Sequence, residues 1–110
     1  MMNDAARLLQ ALSDDSRRAI FEVVADREAS VSEVCEAVSL RQPTVSQHLK
    51  VLHDAGLVTR RADGNRRLYR VEPDGLAPLR AYLDRFWDDA LGAFATYAND
   101  PTNDPKGPTP

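Results

Sequence analysis

Cysteine is nearly missing from this chain: Cys35 is the one thiol in 110 residues, so no internal disulfide can form. A lone thiol is a liability in an oxidising compartment, and its isolation points to the cytoplasm. No run of about 18 to 20 uncharged apolar residues occurs, so no membrane-spanning helix and no membrane partner are expected. Met1 to Leu12 lacks a basic region followed by an apolar core, so no signal peptide is expected either. Catalysis is equally unsupported, because no nucleophile with an acid–base pair and no phosphate-cradling loop is recognisable. Apart from Gly92, the glycines fall where a helix cap (Gly56), a hairpin turn (Gly64) and a helix start (Gly75) are expected, and a tail glycine remains.

The charge is unevenly spread. The net charge is -3, which by itself argues against a polyanion as partner. Between Arg41 and Val71, however, Arg41, Lys50, Arg60, Arg61, Arg66, Arg67 and Arg70 face only Asp54 and Asp63, a surplus of five positive charges. A basic middle between acidic flanks is the footprint of a surface that meets a polyanion, although clustered arginines on a solvated face would read the same way.

Periodicity divides the chain into four short helices, a hairpin and a long helix. Ala5 to Leu12 carries Leu8, Leu9 and Leu12 and is too short to stand alone. Ser13, followed by Asp14 and Asp15, predicts a second helix start with a capping hydroxyl, running to about Arg27. Ser30 and Glu33 have capping-box spacing, predicting a third helix over Val31 to Val38. Pro43 suits a first helical turn, and Val45, Leu49 and Leu52 recur at helical spacing up to Gly56, a left-handed cap. From Leu57 to Val71 the pattern turns β-like around Asp63-Gly64-Asn65, predicting a hairpin. Leu76, Leu79, Leu83, Phe86, Ala90, Phe94 and Tyr97 then trace a long helical stripe, widened by Trp87 and Leu91. The expected division is one domain over 1–98 and a disordered proline-rich tail over 99–110, where almost no apolar side chain can offset ordering entropy.

Two short helices joined by a tight turn and followed by a basic hairpin form a winged helix-turn-helix, mainly α with a small β wing. The fourth helix is then the reader. Opposite its buried edge at Val45 stand Pro43, Gln47, Lys50 and Asp54, bordered by Thr44, Ser46 and Val51. Glutamine suits an adenine edge, serine and threonine suit bases or phosphates, and lysine suits phosphate or guanine. Alternation in the hairpin sends only some of Arg60, Arg61, Arg66 and Arg67 towards DNA. Charge that protects a sheet edge is the competing reading of these arginines.

The segments LSDDSRRAIFEVV, QPTVSQHLKVLHDAGLV, RRADGNRRLYRV and FWDDALGAF together resemble the ArsR-type family of winged-helix repressors. The resemblance covers Leu8 to about Tyr97 and is most specific over Gln42 to Val58. It implies a homodimeric transcriptional repressor acting at an operator near its own promoter. It also implies DNA contacts from Gln42, Thr44, Ser46, Gln47, His48 and Lys50, with phosphate or minor-groove contacts from Arg61, Arg66 and Arg67. Arg41 departs from the serine cap common in the family and cannot accept a bond from the helix start.

Many such repressors release DNA on binding a metal or metalloid through two cysteines near the third helix. Serines stand at those places here, in Ser30-Val31-Ser32-Glu33-Val34-Cys35, and Cys35 reads as a small packing residue. A second family site, between the last helices, needs histidine, and Leu76 to Tyr97 has none. Its acidic residues Asp84, Asp88 and Asp89 read as a solvated face. The expectation is therefore a repressor without metal, cofactor or known effector. The alternatives are a metal-responsive repressor of the same fold or a winged-helix protein-interaction module. Leu8, Leu12, Tyr82, Phe86, Trp87, Leu91 and Phe94 exceed what a small core can cover, which predicts a homodimer through the first and last helices. Two-fold symmetry would set the reading helices roughly 34 Å apart on an inverted-repeat operator in double-stranded DNA.

Overall fold

The computed structural model describes residues 3–99, so the tail expected over 99–110 falls, after Asn99, outside the described residues. The elements run α1 (Asp4–Ala11), α2 (Asp15–Asp26), β1 (Ala29–Ser30), α3 (Val31–Val38), α4 (Gln42–Asp54), β2 (Val58–Asp63), β3 (Arg66–Val71) and α5 (Pro73–Asn99). The chain forms two compact units, Met1–Leu79 and Arg80–Pro110.

Local chemistry sets the helix ends. Asn3 Oδ1 accepts the Ala6 N–H at 2.7 Å and starts α1 one residue earlier than periodicity alone suggests. Ser13 does not cap α2, contrary to expectation: its hydroxyl donates back to the Gln10 carbonyl at 2.7 Å and so closes α1. Asp14 takes the cap, accepting the Arg17 N–H at 2.8 Å. A carboxylate there accepts a charge-assisted bond at the positive end of the helix dipole, which a hydroxyl cannot match. At α3 the expected capping box is present, with the Glu33 N–H on Ser30 Oγ at 3.2 Å and the Ser30 N–H on Glu33 Oε1 at 2.9 Å. Ser39 ends α3 in the left-handed region at φ 58° and donates its N–H to Cys35 at 2.9 Å, forming the tight turn into α4.

The sheet has three strands in the order β1-β3-β2, all antiparallel. The two-residue β1 has no period to read, yet Ala29 and Ser30 pair with Tyr69 and Leu68 and tie the wing to the helical body. Gly64 and Asn65 link Asp63 to its partner Arg66, and Gly64 alone of the two takes a positive φ, 64°, as a type II′ turn requires.

The core joins all four short helices to the sheet. Ile20 and Val24 of α2, Val34 of α3, and Val45, Leu49 and Leu52 of α4 pack with Leu57, Val58, Ala29 and Tyr69, and Cys35 is partly buried against them. Leu8 corrects an expectation: it is 2% exposed and belongs to this core, so it does not lack cover within one chain. Leu12 is partly buried against the same cluster. On α1 the exposed apolar side chain is instead Leu9.

One junction orients the later elements. The Leu57 N–H reaches the Leu52 carbonyl and the Gly56 N–H reaches that of His53, both at 2.9 Å, closing α4 in a Schellman turn with Gly56 at φ 82°. The Glu72 N–H bonds Leu57 at 2.9 Å, so the end of the wing returns to the same place. There Gly75, at the start of α5, lies so close to Gly56 that an added Cβ would stand 1.6 Å from the Gly56 carbonyl oxygen. Gly75→Ala is expected to force a backbone shift and to lower stability by about 1–3 kcal/mol. Urea denaturation monitored by circular dichroism measures this, and an unchanged midpoint would refute the close approach.

Candidate nucleic-acid interface

The first half of α4 is held by its buried edge and open on the other. With Val45, Leu49 and Leu52 at 0% exposure, the helix cannot roll, and Gln42, Thr44, Ser46, Gln47 and Lys50 stand exposed together. Lys50 Nζ donates to Asp54 Oδ2 at 2.8 Å one turn on, and this bond holds the Asp54 carboxyl below its usual range. Arg41 precedes the helix without making a side-chain cap, as its chemistry requires.

His48 does not join this set. It is half-buried, and among the described residues its enclosed Nδ1 has no hydrogen-bond partner. The cause is helical geometry: His48 lies about 60° from the buried centre at Val45, whereas the exposed face is opposite. The DNA contact that family resemblance implies for His48 is therefore not placed with the others.

The strand register sorts the wing arginines into two faces. Arg60 pairs with Tyr69 and Ala62 with Arg67, so Arg60 and Arg67 share one face; Arg61, Arg66 and Arg70 share the other. The second group has acidic company. Arg61 makes a fork with Glu28, Nε to Oε2 at 2.9 Å and Nη2 to Oε1 at 2.8 Å. Arg66 approaches Asp63 at 3.5 Å and Glu33 at 3.7 Å. Arg67 is exposed and, among the described residues, has no carboxylate partner.

The exposed start of α4, the start of α3 and the wing tip enclose a groove of about 670 Å³, lined among others by Ser32, Glu33, Gln42, Ser46, Arg66 and Arg67. Hydroxyl, amide and guanidinium donors thus converge on one channel, a set suited to the edge and backbone of a nucleic acid. Sequence reasoning named Gln42, Ser46, Arg66 and Arg67 of this lining. It missed Ser32 and Asn65 as lining residues and Glu28 as a partner, since nothing in local pattern ties Glu28 to a residue 33 positions away.

Residues 14–60 match the family described as "Bacterial regulatory protein, arsR family". Among curated proteins, the chain is 49% identical over 89 residues to the HTH-type transcriptional regulator Rv2034 of Mycobacterium tuberculosis, covering 81% of this chain and 83% of that one. It is 33% identical to an arsenical resistance operon repressor of Staphylococcus xylosus over 74% of this chain and 78% of that one. Among solved structures, a homodimeric winged helix-turn-helix DNA-binding domain from Mycobacterium bovis aligns with a TM-score of 0.63 at 31% identity, covering 80% of this chain and 82% of that one.

Glu33 links the groove to acid stability. Its carboxyl is held below the usual glutamate range, first by the Ser30 backbone N–H, then by the Ser30 side chain, and less by Arg66. A depressed folded value stabilises the protein above the usual range and is lost as pH falls through the folded value. Glu33→Gln keeps an acceptor for Ser30 but cannot titrate. Thermal midpoints measured from about pH 7 down to about pH 3 are expected to fall less steeply in this variant than in wild type; parallel curves would deny Glu33 this role.

Proposed function

Because the chain belongs to the ArsR family of bacterial transcriptional regulators, we propose that it is a homodimeric repressor that occupies an inverted-repeat operator in its own promoter region, without sensing a metal. The family is one of DNA-binding regulators, not of enzymes. The observation that carries the reading is the exposed face of α4, held rigid by Val45, Leu49 and Leu52 and flanked by the arginines of the wing tip.

In this reading α4 enters the major groove with Gln42, Thr44, Ser46 and Gln47 towards base edges, Gln47 being suited to a bidentate adenine contact. Lys50, Arg66 and Arg67 meet the backbone, Lys50 by exchanging Asp54 for a phosphate. His48 is left to pack against α2. The residues also support independence from metal. The Ser30 hydroxyl, at a place of the family's thiolates, is used in capping α3, and neither serine offers the soft donor that a thiophilic ion selects. No helix among the described residues is long and apolar enough to cross a membrane, and we place the protein in the cytoplasm.

Dimerisation follows from the unit that begins at Arg80. Leu83, Phe86, Trp87, Leu91 and Phe94 are each at least half exposed on α5, and Tyr82 packs edge-to-face on Phe86 with ring centroids 4.9 Å apart. A stripe of that size on a lone chain is a surface awaiting a partner, and a second copy supplies an identical stripe.

Two outcomes test the reading. In gel-shift titrations on its upstream DNA, binding is expected to weaken steeply with salt and to be unchanged by zinc or arsenite. Arg67→Ala should lower the salt slope by about 0.9 for each subunit of the dimer, and Gln47→Ala should cost about 1–3 kcal/mol for each half-site of the operator but little on random duplex. No binding would favour a protein partner, and release by either ion would restore metal sensing. Trp87→Glu should convert the dimer to monomer in analytical ultracentrifugation; an intact dimer would move Trp87 out of the interface.

A further inference from the structure

The wing arginines are not equivalent, and the difference lies in what each must give up to meet a phosphate. Arg67 has no carboxylate partner among the described residues, and Arg66 has two loose ones at 3.5 and 3.7 Å. Arg61 is held by a fork that uses both oxygens of Glu28 at 2.8 and 2.9 Å. Glu28 immediately precedes β1 at one edge of the sheet and Arg61 lies on β2 at the other, so the pair spans the sheet across β3. The planar edge that Arg61 presents to Glu28 is the edge a guanidinium uses to take two oxygens of a phosphate. It cannot serve both at once.

We propose that Glu28 is an internal competitor with DNA phosphate for Arg61, and so a residue that sets how strongly the wing grips DNA of any sequence. This rests on the DNA-binding reading above. Glu28 is charged at neutral pH, since the hydrogen bond from Arg61 holds its carboxyl below the usual range. The side chains are 56% exposed at Arg61 and 28% at Glu28, which leaves the pair open to exchange. Exposed ion pairs are weak, and the field of a duplex backbone is strong, so the exchange is near balance and responds to either partner. A wing with Arg61 sequestered carries less free positive charge while the protein samples DNA loosely. It gains that charge only when the backbone comes close enough to displace Glu28.

The test is a double-mutant cycle on a random-sequence duplex, with affinity measured by fluorescence anisotropy across a salt series. Glu28→Gln keeps the shape and removes the charge. It is expected to tighten binding by about threefold to tenfold at low salt and to steepen the dependence of log K on log salt by up to about 0.9 for each of the two wings of the dimer. In the Arg61→Ala background the same change should leave the slope unaltered. Equal steepening in both backgrounds would reduce Glu28 to a general negative charge near DNA, and weaker binding by Glu28→Gln would mean that it orients Arg61 for the phosphate; either overturns the proposal. If Glu28→Gln does not fold, Arg61→Ala against Arg67→Ala decides: the slope should fall less for Arg61, and an equal fall overturns the proposal. Absence of DNA binding by the wild type would instead overturn the DNA-binding reading, and this inference with it.

Discussion

A left-handed glycine and the two hydrogen bonds around it hold the reading helix, the wing and the last helix at one point. At Gly56 the chain leaves α4 with its final carbonyls bonded, and Leu57 enters the core beside Leu52, both fully buried. The wing departs from this place as β2 and returns to it through Glu72, and Gly75 lets α5 begin in contact with the Gly56 carbonyl. Only a residue without a Cβ penalty accepts φ 82° readily, and only a residue without a Cβ fits at Gly75. The angle at which α4 presents its outer face is therefore fixed by backbone contacts, and the side chains of that face are free to vary for recognition.

Electrostatics is the second organising feature. The basic middle of the chain is not an undivided positive surface, because acidic side chains beside it are assigned to particular donors. Asp14 and Glu33 hold helix N-termini, Asp54 holds Lys50 and Glu28 holds Arg61, and each of the four carboxyls lies below its usual range for that reason. Among the described residues, Arg60 and Arg67, which share one face of the wing, make no such pair. Charge that is partly neutralised in the free protein limits indiscriminate attraction to a polyanion.

Much of this was legible in the sequence where structure is local. The capping box at Ser30 and Glu33, the left-handed cap at Gly56 and the helical spacing of Val45, Leu49 and Leu52 are written within a few residues of one another, and the fold places them as read. Ser13 misled because a hydroxyl before two carboxylates suits either a start or a stop, and the stronger acceptor at Asp14 took the start. β1 was silent because two residues have no period. Leu8 was misassigned because a stripe does not say which of its members a neighbouring helix covers. For the candidate site, helical phase gave the outward face of α4 and correctly warned that alternation divides the arginines. It could not give the Glu28–Arg61 fork, which exists only through the pairing of β1 with β3 and β3 with β2.

The exposed stripe on α5 has a consequence for how such a regulator responds to its own abundance. If two chains must meet along Phe86, Trp87 and Phe94 before two reading helices are presented together, the population able to seat on DNA grows with the square of the chain concentration when chains are scarce. Once one helix of a pair has engaged, the other is carried to its half-site at a local concentration far above that in bulk. Transcriptional silence would then set in over a narrow span of protein levels, with the sharpness supplied by an apolar surface that never touches DNA.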